Sequence, residues 1–259
     1  MPAFEAREGM PYWIDLLTSE ARKSAYFYSR ILGWDVAEGD YRIARLQNMP
    51  VAGMVPQEDM PDAWVTYFLS TDIERDAQRV GELGGRVLAQ PQQVSLGTMA
   101  LCADNQGGWF GLYQPEGEDS FVAAGEPGTP VWHEYTCTGD VDKLARFYGE
   151  LFDWDIVEND GYLLAMQDGA AFAGIWDARE QIPADVPSFW RSFLGVANIA
   201  ETRSSIEEFG GEVLRGPENS PFGLLLTAAD STGAVVTLCE VDEPVDEETL
   251  DEGDSILHL

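Results

Sequence analysis

"PYWIDLLTSEARKSAYFYSRILGWDV" fills residues 11–36, and "PVWHEYTCTGDVDKLARFYGELFDWDI" fills 130–156. The two stretches are copies. Phe27-Tyr28 matches Phe147-Tyr148, and Trp34-Asp35 matches Trp154-Asp155. The repeat runs on. "YRIARLQNMPVAGM" (41–54) matches "YLLAMQDGAAFAGI" (162–175), and "AWVTYFLSTDIERDAQRVGELGGRVL" (63–88) matches "FWRSFLGVANIAETRSSIEEFGGEVL" (189–214). "ADNQGGWFGLY" (103–113) matches "ADSTGAVVTLC" (229–239). Self-similarity of this kind decides the fold before any single element is assigned.

Each half divides again. "YWIDLLT" alternates as a strand does. In "SEARKSAYFYSRIL" Ala25, Tyr28, Ile31 and Leu32 recur at helical spacing, with Ser19 as the expected N-cap and Gly33 as the stop. "WDVAE", "YRIARL" and "VAGMV" follow as short strands. Pro56 to Pro61 break the pattern, and the same order returns: the strand "WVTYFLS", the helix "DIERDAQRVGELGG" closed by a glycine pair, then "RVLAQ", "TMALCAD" and "WFGLY". The expectation is an α+β chain of four βαβββ modules, at about 11–56, 63–115, 130–177 and 188–241. They form an N-terminal domain (1–116) and a C-terminal domain (129–242). The acidic, glycine-bearing linker 117–128 joins them, and an acidic tail (243–259) ends the chain.

The bulk numbers bound the function. The 259 residues are 45% apolar, with eight Trp, nine Tyr and twelve Phe, enough for a sizeable core. Asp and Glu total 46 against 15 Lys and Arg, giving a net charge of −31. Such a field repels phosphate backbones and anionic lipid, so neither nucleic acid nor a membrane surface is an expected partner. The plain reading of the charge is solubility. Cys102, Cys137 and Cys239 have no CxxC spacing, which argues against a zinc knuckle or a disulfide scaffold. The first residues lack a basic segment followed by an apolar one, and no run approaches a membrane span, so the expected location is cytoplasmic. A monomer or homodimer is expected.

Four tandem βαβββ modules, with "GWDV" after the first helix, "ELGG" ending the second and "AD-x-x-G" before a last strand, resemble the vicinal oxygen chelate superfamily. That superfamily includes glyoxalase I, extradiol dioxygenases, fosfomycin-resistance enzymes and bleomycin-binding proteins. The resemblance covers about residues 10–115 and 129–241. It is strongest toward tandem glyoxalase-like proteins common in actinobacteria, whose first strand "W-x-[DE]-L-x-T" appears here as "WIDLLT" and, less faithfully, as "WHEYTCT". It implies curled mixed sheets around concave clefts. Whether modules pair within a half or across halves stays open.

The resemblance also implies where a metal would sit. Metal-using members carry His, Gln or Glu on the first strand of a module and Glu on the last, all facing the cleft. The first half offers Asp15, with Gly111 in the glutamate slot. The second offers Trp132, His133 and Glu134 on its first strand, Arg191 and Ser192 where a histidine is expected, and Thr237 in the glutamate slot. Glu240 falls on the face opposite Thr237. Adjacent strand residues point opposite ways, so His133 and Glu134 can act together only across a bulge. The segment from Trp132 to Asp140 does hold one residue more than its copy from Trp13 to Glu20. One or two ligands fall short of a catalytic site, so no cofactor is expected, with His133 and Glu134 the weak metal candidates.

The expected cleft-facing residues are Trp13, Tyr67, Trp109, Gly111, Trp132, Trp190 and Phe193. Asp15 and Glu134 are equivalent acids, and Arg191 is a partner for one of them or for an anionic ligand. Each also has an ordinary role: the tryptophans as core, the acids as backbone acceptors, Arg191 in an ion pair, and His133 as a hydrogen-bonded strand residue. Tyr28 and Tyr148 read as helix-to-sheet core. No G-x-S-x-G, P-loop or G-x-G-x-x-G is present. These residues point to a small organic molecule bound in a concave cleft without a catalytic metal. The alternative is a metal-dependent enzyme of the same superfamily. It would be a lactoylglutathione-lyase-like isomerase or an extradiol-type dioxygenase, working in the C-terminal half through His133 and Glu134. A third reading has the clefts filled by the protein's own side chains. His133 and Arg191 stand where the first half has Ile14 and Val65, which favours the second half for polar chemistry.

Overall fold

The computed structural model describes residues 6–116, 125–183 and 185–242. Most of the linker and the acidic tail lie outside them. The first module is β1 (Pro11–Thr18), α1 (Ala21–Ile31), β2 (Asp35–Val36), β3 (Arg42–Leu46) and β4 (Met49–Pro56). The second is β5 (Ala63–Leu69), α2 (Ile73–Glu82), β6 (Arg86–Val94), β7 (Gly97–Ala103) and β8 (Trp109–Pro115). The third is β9 (Pro130–Cys137), α3 (Val141–Phe152), β10 (Asp155–Asn159), β11 (Tyr162–Gln167) and β12 (Ala170–Asp177). The fourth is β13 (Phe189–Val196), α4 (Ile199–Glu208), β14 (Glu212–Ser220), β15 (Gly223–Ala229) and β16 (Val235–Glu240). The βαβββ order read from the sequence holds in all four.

Helix starts follow side-chain chemistry in three modules. Asp72 accepts from Arg75 N at 3.1 Å, Asp140 from Lys143 N at 3.1 Å, and Asn198 from Ala200 N and Glu201 N at 2.9 and 3.1 Å. The expected Ser19 cap is corrected. Glu20 occupies the cap position of α1 without a side-chain bond. Ser19 is held away by Asp62, which accepts from its backbone N–H at 3.0 Å and its hydroxyl at 3.2 Å. The stop is as expected, with Gly33 in the left-handed region.

Two modules share each sheet. The orders are β2-β3-β4-β1-β5-β8-β7-β6 and β10-β11-β12-β9-β13-β16-β15-β14. Pairing is therefore within each half. At each centre two first strands run antiparallel, β1 with β5 and β9 with β13, and each also pairs a last strand in parallel. Both sheets stay open and curl.

The helices tie the halves together. One core joins the first and fourth modules, through Phe27, Tyr28, Leu194, Ile206 and Leu238. Another joins the second and third, through Phe68, Phe110, Phe147, Tyr148 and Trp154, with Trp190 of the fourth module against it. The helix-bearing faces of the two sheets thus pack against each other, and the opposite, concave faces look outward. Buried tyrosines lock this contact. Tyr148 donates to Asp104 Oδ2 at 3.0 Å and accepts from Trp190 Nε1 at 2.7 Å. Its copy Tyr28 accepts from Trp64 Nε1 at 3.0 Å and bonds Asp230. Asp104 and Asp230 are the acids of the two "AD-x-x-G" turns, and their Oδ1 atoms also hold the turn backbone. Burial pushes both carboxyls upward in pKa.

Candidate functional site

Strand alternation sends Trp132, Glu134 and Thr136 of β9 to the concave face of the C-terminal sheet. Neighbouring strands bring Tyr162, Trp176, Arg191, Phe193 and Thr237 to the same face. The registers Glu134↔Arg191, Phe193↔Trp132 and Phe193↔Thr237 set them side by side. The result is a polar chain under an aromatic wall. Arg191 pairs with Glu134 through Nε (3.0 Å) and Nη2. Tyr162 donates to Glu134 Oε2 at 2.8 Å and accepts from Trp132 Nε1 at 3.2 Å. Trp132 stacks on Phe222 at 4.9 Å, and Phe193 meets Phe222 edge-on at 6.1 Å. The Arg191 guanidinium lies 5.2 Å from the Phe193 ring and 5.7 Å from the Trp176 ring. Glu134 is 5% exposed, so its charge needs this pairing. The arrangement can stack a planar molecule and offer it both donors and an acceptor.

The N-terminal concave face repeats the acid, tyrosine and tryptophan. Asp15 Oδ1 accepts from Trp13 Nε1 and from the Tyr41 hydroxyl, each at 2.8 Å. Val65 stands in Arg191's register place, so no guanidinium answers Asp15. The carboxyl is fully buried, and desolvation raises its pKa to about 6 against the opposing pull of Trp13, Tyr41 and Tyr67. Trp13, Tyr67, Met99 and Tyr113 form a packed cluster over this face, with Trp109 against its edge. The Tyr67 ring lies so close over Gly111 that a Cβ there would overlap it. The protein's own side chains thus pack over the concave face of this half.

Two expected cleft residues belong elsewhere. His133 points to the helix-bearing face, where its Nδ1 is 2.9 Å from Ser192 Oγ, and Ser192 Oγ is 3.1 Å from Thr66 Oγ1 of the other half. Desolvation lowers the His133 pKa to about 4, so the ring is neutral near pH 7. Trp190 also faces the inter-half core. The reason lies in the bulge. The register slips at Val131, between Pro130 and Trp132, as it does at Tyr12 in the first half. Past that point the strand alternates regularly, and the extra residue of this half falls in the connection between β9 and α3. His133 and Glu134 therefore cannot share one ion. Among the described residues, no three His, Cys, Asp or Glu gather as a metal site. Glu240, on the helix face as expected, accepts from Ile199 N at 2.8 Å and tethers α4.

Tyr41, Tyr162, Trp176 and Phe222 went unnoticed in the sequence. Tyr41 and Tyr162 carried a signal, since they stand at matching places in the two copies, Tyr41 just ahead of β3 and Tyr162 at the start of β11. A Cβ at Gly53 or Gly174 would strike their hydroxyls, which explains a glycine at both places. Trp176 and Phe222 replace Val55 and Leu96 and gave no such sign.

Comparison with known proteins agrees with this architecture. Residues 133–238 match the family described as Glyoxalase/Bleomycin resistance protein/Dioxygenase superfamily. The Putative glyoxylase CFP32 of Mycobacterium tuberculosis (strain CDC 1551 / Oshkosh) is 26% identical, covering 90% of this chain and 95% of that protein. The Anthracycline biosynthesis protein DnrV of Streptomyces peucetius is 26% identical, covering 91% and 94%. The Mn(II)-bound glyoxalase from Novosphingobium aromaticivorans shares the fold, with a TM-score of 0.63, 12% identity, and coverage of 92% of this chain and 85% of that one. Residues 133–238 thus belong to the Glyoxalase/Bleomycin resistance protein/Dioxygenase superfamily, and the whole chain has that superfamily's tandem vicinal oxygen chelate fold.

Proposed function

We propose that the C-terminal concave face binds a small planar organic molecule without a catalytic metal. The observation that carries this reading is the chain Arg191–Glu134–Tyr162–Trp132, set beneath the Trp132, Phe222 and Phe193 rings. Aromatic walls with a few fixed polar groups are what small-molecule sites offer. Where the resemblance expects a histidine and a glutamate, this face holds Arg191 and Thr237 instead. Glu134 is already committed to a guanidinium. A cation arriving there would have to displace Arg191, and among the described residues no three His, Cys, Asp or Glu gather as a metal site. A relative named for anthracycline biosynthesis agrees with a planar ligand. The role that follows is sequestration of such a compound, or its handling during secondary metabolism. A metal-dependent isomerase or dioxygenase in the same half would need ligands that His133, turned to the other face, does not supply.

A thermal-shift screen of planar polycyclic compounds, with and without Mn²⁺ or Zn²⁺, tests this. A ligand at a hundred times its Kd should stabilise the fold by about 2.7 kcal/mol. The shift should not need metal and should be lost in Trp132→Ala. Stoichiometric metal in the purified protein would overturn the metal-free reading, and a shift unchanged in Trp132→Ala would remove the ligand from this face.

A further inference from the structure

A cavity of about 340 Å³ lies between the halves. Trp64 and Ala63 of β5 wall one side, and Phe189, Arg191, Ser192, Thr227 and Thr237 wall the other. The consecutive residues Trp190, Arg191 and Ser192 all line it, although alternation sends neighbours to opposite faces. The cavity therefore wraps round β13. The strand topology explains how: β13 begins at Phe189, but it pairs with β16 only from Phe193 onward. Ahead of that point the two strands are not paired, and residues of both, Arg191 and Val235 among them, line the cavity. The start of β5 from the other half closes it. Neither half alone forms this chamber.

Its chemistry is specific. Ser192, Thr227 and Thr237 supply hydroxyls. Ser192 is held in place by His133 and Thr66. Both hydrogen bonds of Arg191 end on Glu134 Oε1, so Nη1 has no acceptor among the described residues. The guanidinium charge, however, is already matched by Glu134. A second carboxylate beside that pair would leave a net negative charge in a half-dry site, inside a chain of net charge −31. A neutral acceptor has no such cost. Asp62, also on the wall, is tied to Ser19 N and to the Thr18 and Ser19 hydroxyls and faces its own half. Trp64 and Phe189 add flat apolar surface.

We propose that this cavity is a second small-molecule site, reaching the concave face at Arg191 and Thr237 but centred between the halves, for an uncharged aromatic carbonyl compound. The carbonyl oxygen accepts from Arg191 Nη1 and a neighbouring hydroxyl, and the ring lies between Trp64 and Phe189. The site takes benzamide in preference to benzoate, which has the same shape but a charge.

Ligand-observed NMR titration of the full chain with benzamide and with benzoate tests it. Benzamide should bind at least about tenfold more tightly, a difference of about 1.4 kcal/mol. Val235, 53% exposed, sits on the wall of the cavity, so Val235→Trp should block it without disturbing the core. Benzamide binding should vanish in that variant and weaken several-fold in the isosteric Thr237→Val. It should stay within twofold in Trp132→Ala, on the concave face. Circular dichroism melting confirms that each variant is folded. Equal or tighter binding of benzoate overturns the proposal, as does benzamide binding that survives Val235→Trp. Loss in Trp132→Ala would move the ligand to the concave face. Absence of benzamide binding in the parent protein also overturns the cavity site, and leaves the planar ligand of the concave face untouched.

Discussion

Asp15 and His133 are two buried titratable residues whose pH effects oppose. Asp15 has its folded pKa raised from 3.8 to about 6. The folded protein then keeps a proton that the unfolded chain releases, so this contribution is full below about pH 4 and is lost as pH rises through 6. Above that the fold carries a cost of roughly 3 kcal/mol. His133 has its folded pKa lowered from 6.5 to about 4. Its contribution is full above pH 6.5 and is lost as pH falls through 4, with a similar size. In the parent protein the two slopes largely cancel between pH 4 and 6.5. Asp15→Asn keeps an oxygen for Trp13 and Tyr41 and removes one slope. We expect it to exceed the parent protein by about 2–3 kcal/mol at pH 8, and to lose stability more steeply on acidification. Urea unfolding at pH 4.5, 6 and 8 measures this, and a variant no more stable than its parent at pH 8 would contradict the buried-charge account. The sequence marked Asp15 as an acid equivalent to Glu134, and His133 as a polar residue that the first half lacks. It did not show that Asp15 lacks a cation, because Val65 comes opposite Asp15, as Arg191 does opposite Glu134, only once the strands pair.

At the scale of elements, the first strand of each half was readable because alternation and a repeated copy reinforce each other. What misled was the position of the bulge. An extra residue between Trp132 and Asp140 can be absorbed in the strand or in the turn, and hydrogen-bond registry at β13 fixes it in the turn. The last strands carry a sharper constraint. Gly111 pairs with Tyr67 across β5 and β8, and the ring occupies the space of a side chain. Thr237 fills the equivalent slot in the other half beside Phe193. Gly111→Ala should therefore cost about 2–3 kcal/mol by overpacking. Combining it with Tyr67→Val should cost less than the sum of the two single changes, because the smaller side chain vacates that space. Additive losses in the double-mutant cycle would show that Tyr67 is not what excludes a Cβ there.

At the scale of the molecule, the helices decide the behaviour. Each lies between the two sheets, so each half buries its helical face only against the other. Hydrogen bonds from Tyr148 to Asp104 and from Trp154 to Gly9 O cross the same boundary. We expect one cooperative unfolding transition, with tryptophan fluorescence and far-UV circular dichroism coinciding. Two separated transitions would show that the halves are independent.

The sequence by itself determined the module count, their βαβββ order, the duplication and the acidic surface. These depend on local periodicity and on comparison of one copy with the other, both of which are written along the chain. It also named Glu134, Arg191 and Trp132, which the structure brings to one concave face, together with His133 and Trp190, which it turns to the other. Only the tertiary structure decided that sheets pair within halves, that His133 and Trp190 serve the contact between halves, and that a cavity opens where β13 lacks β16. Those outcomes depend on which strands meet and in what register, and residues far apart in the chain set that together.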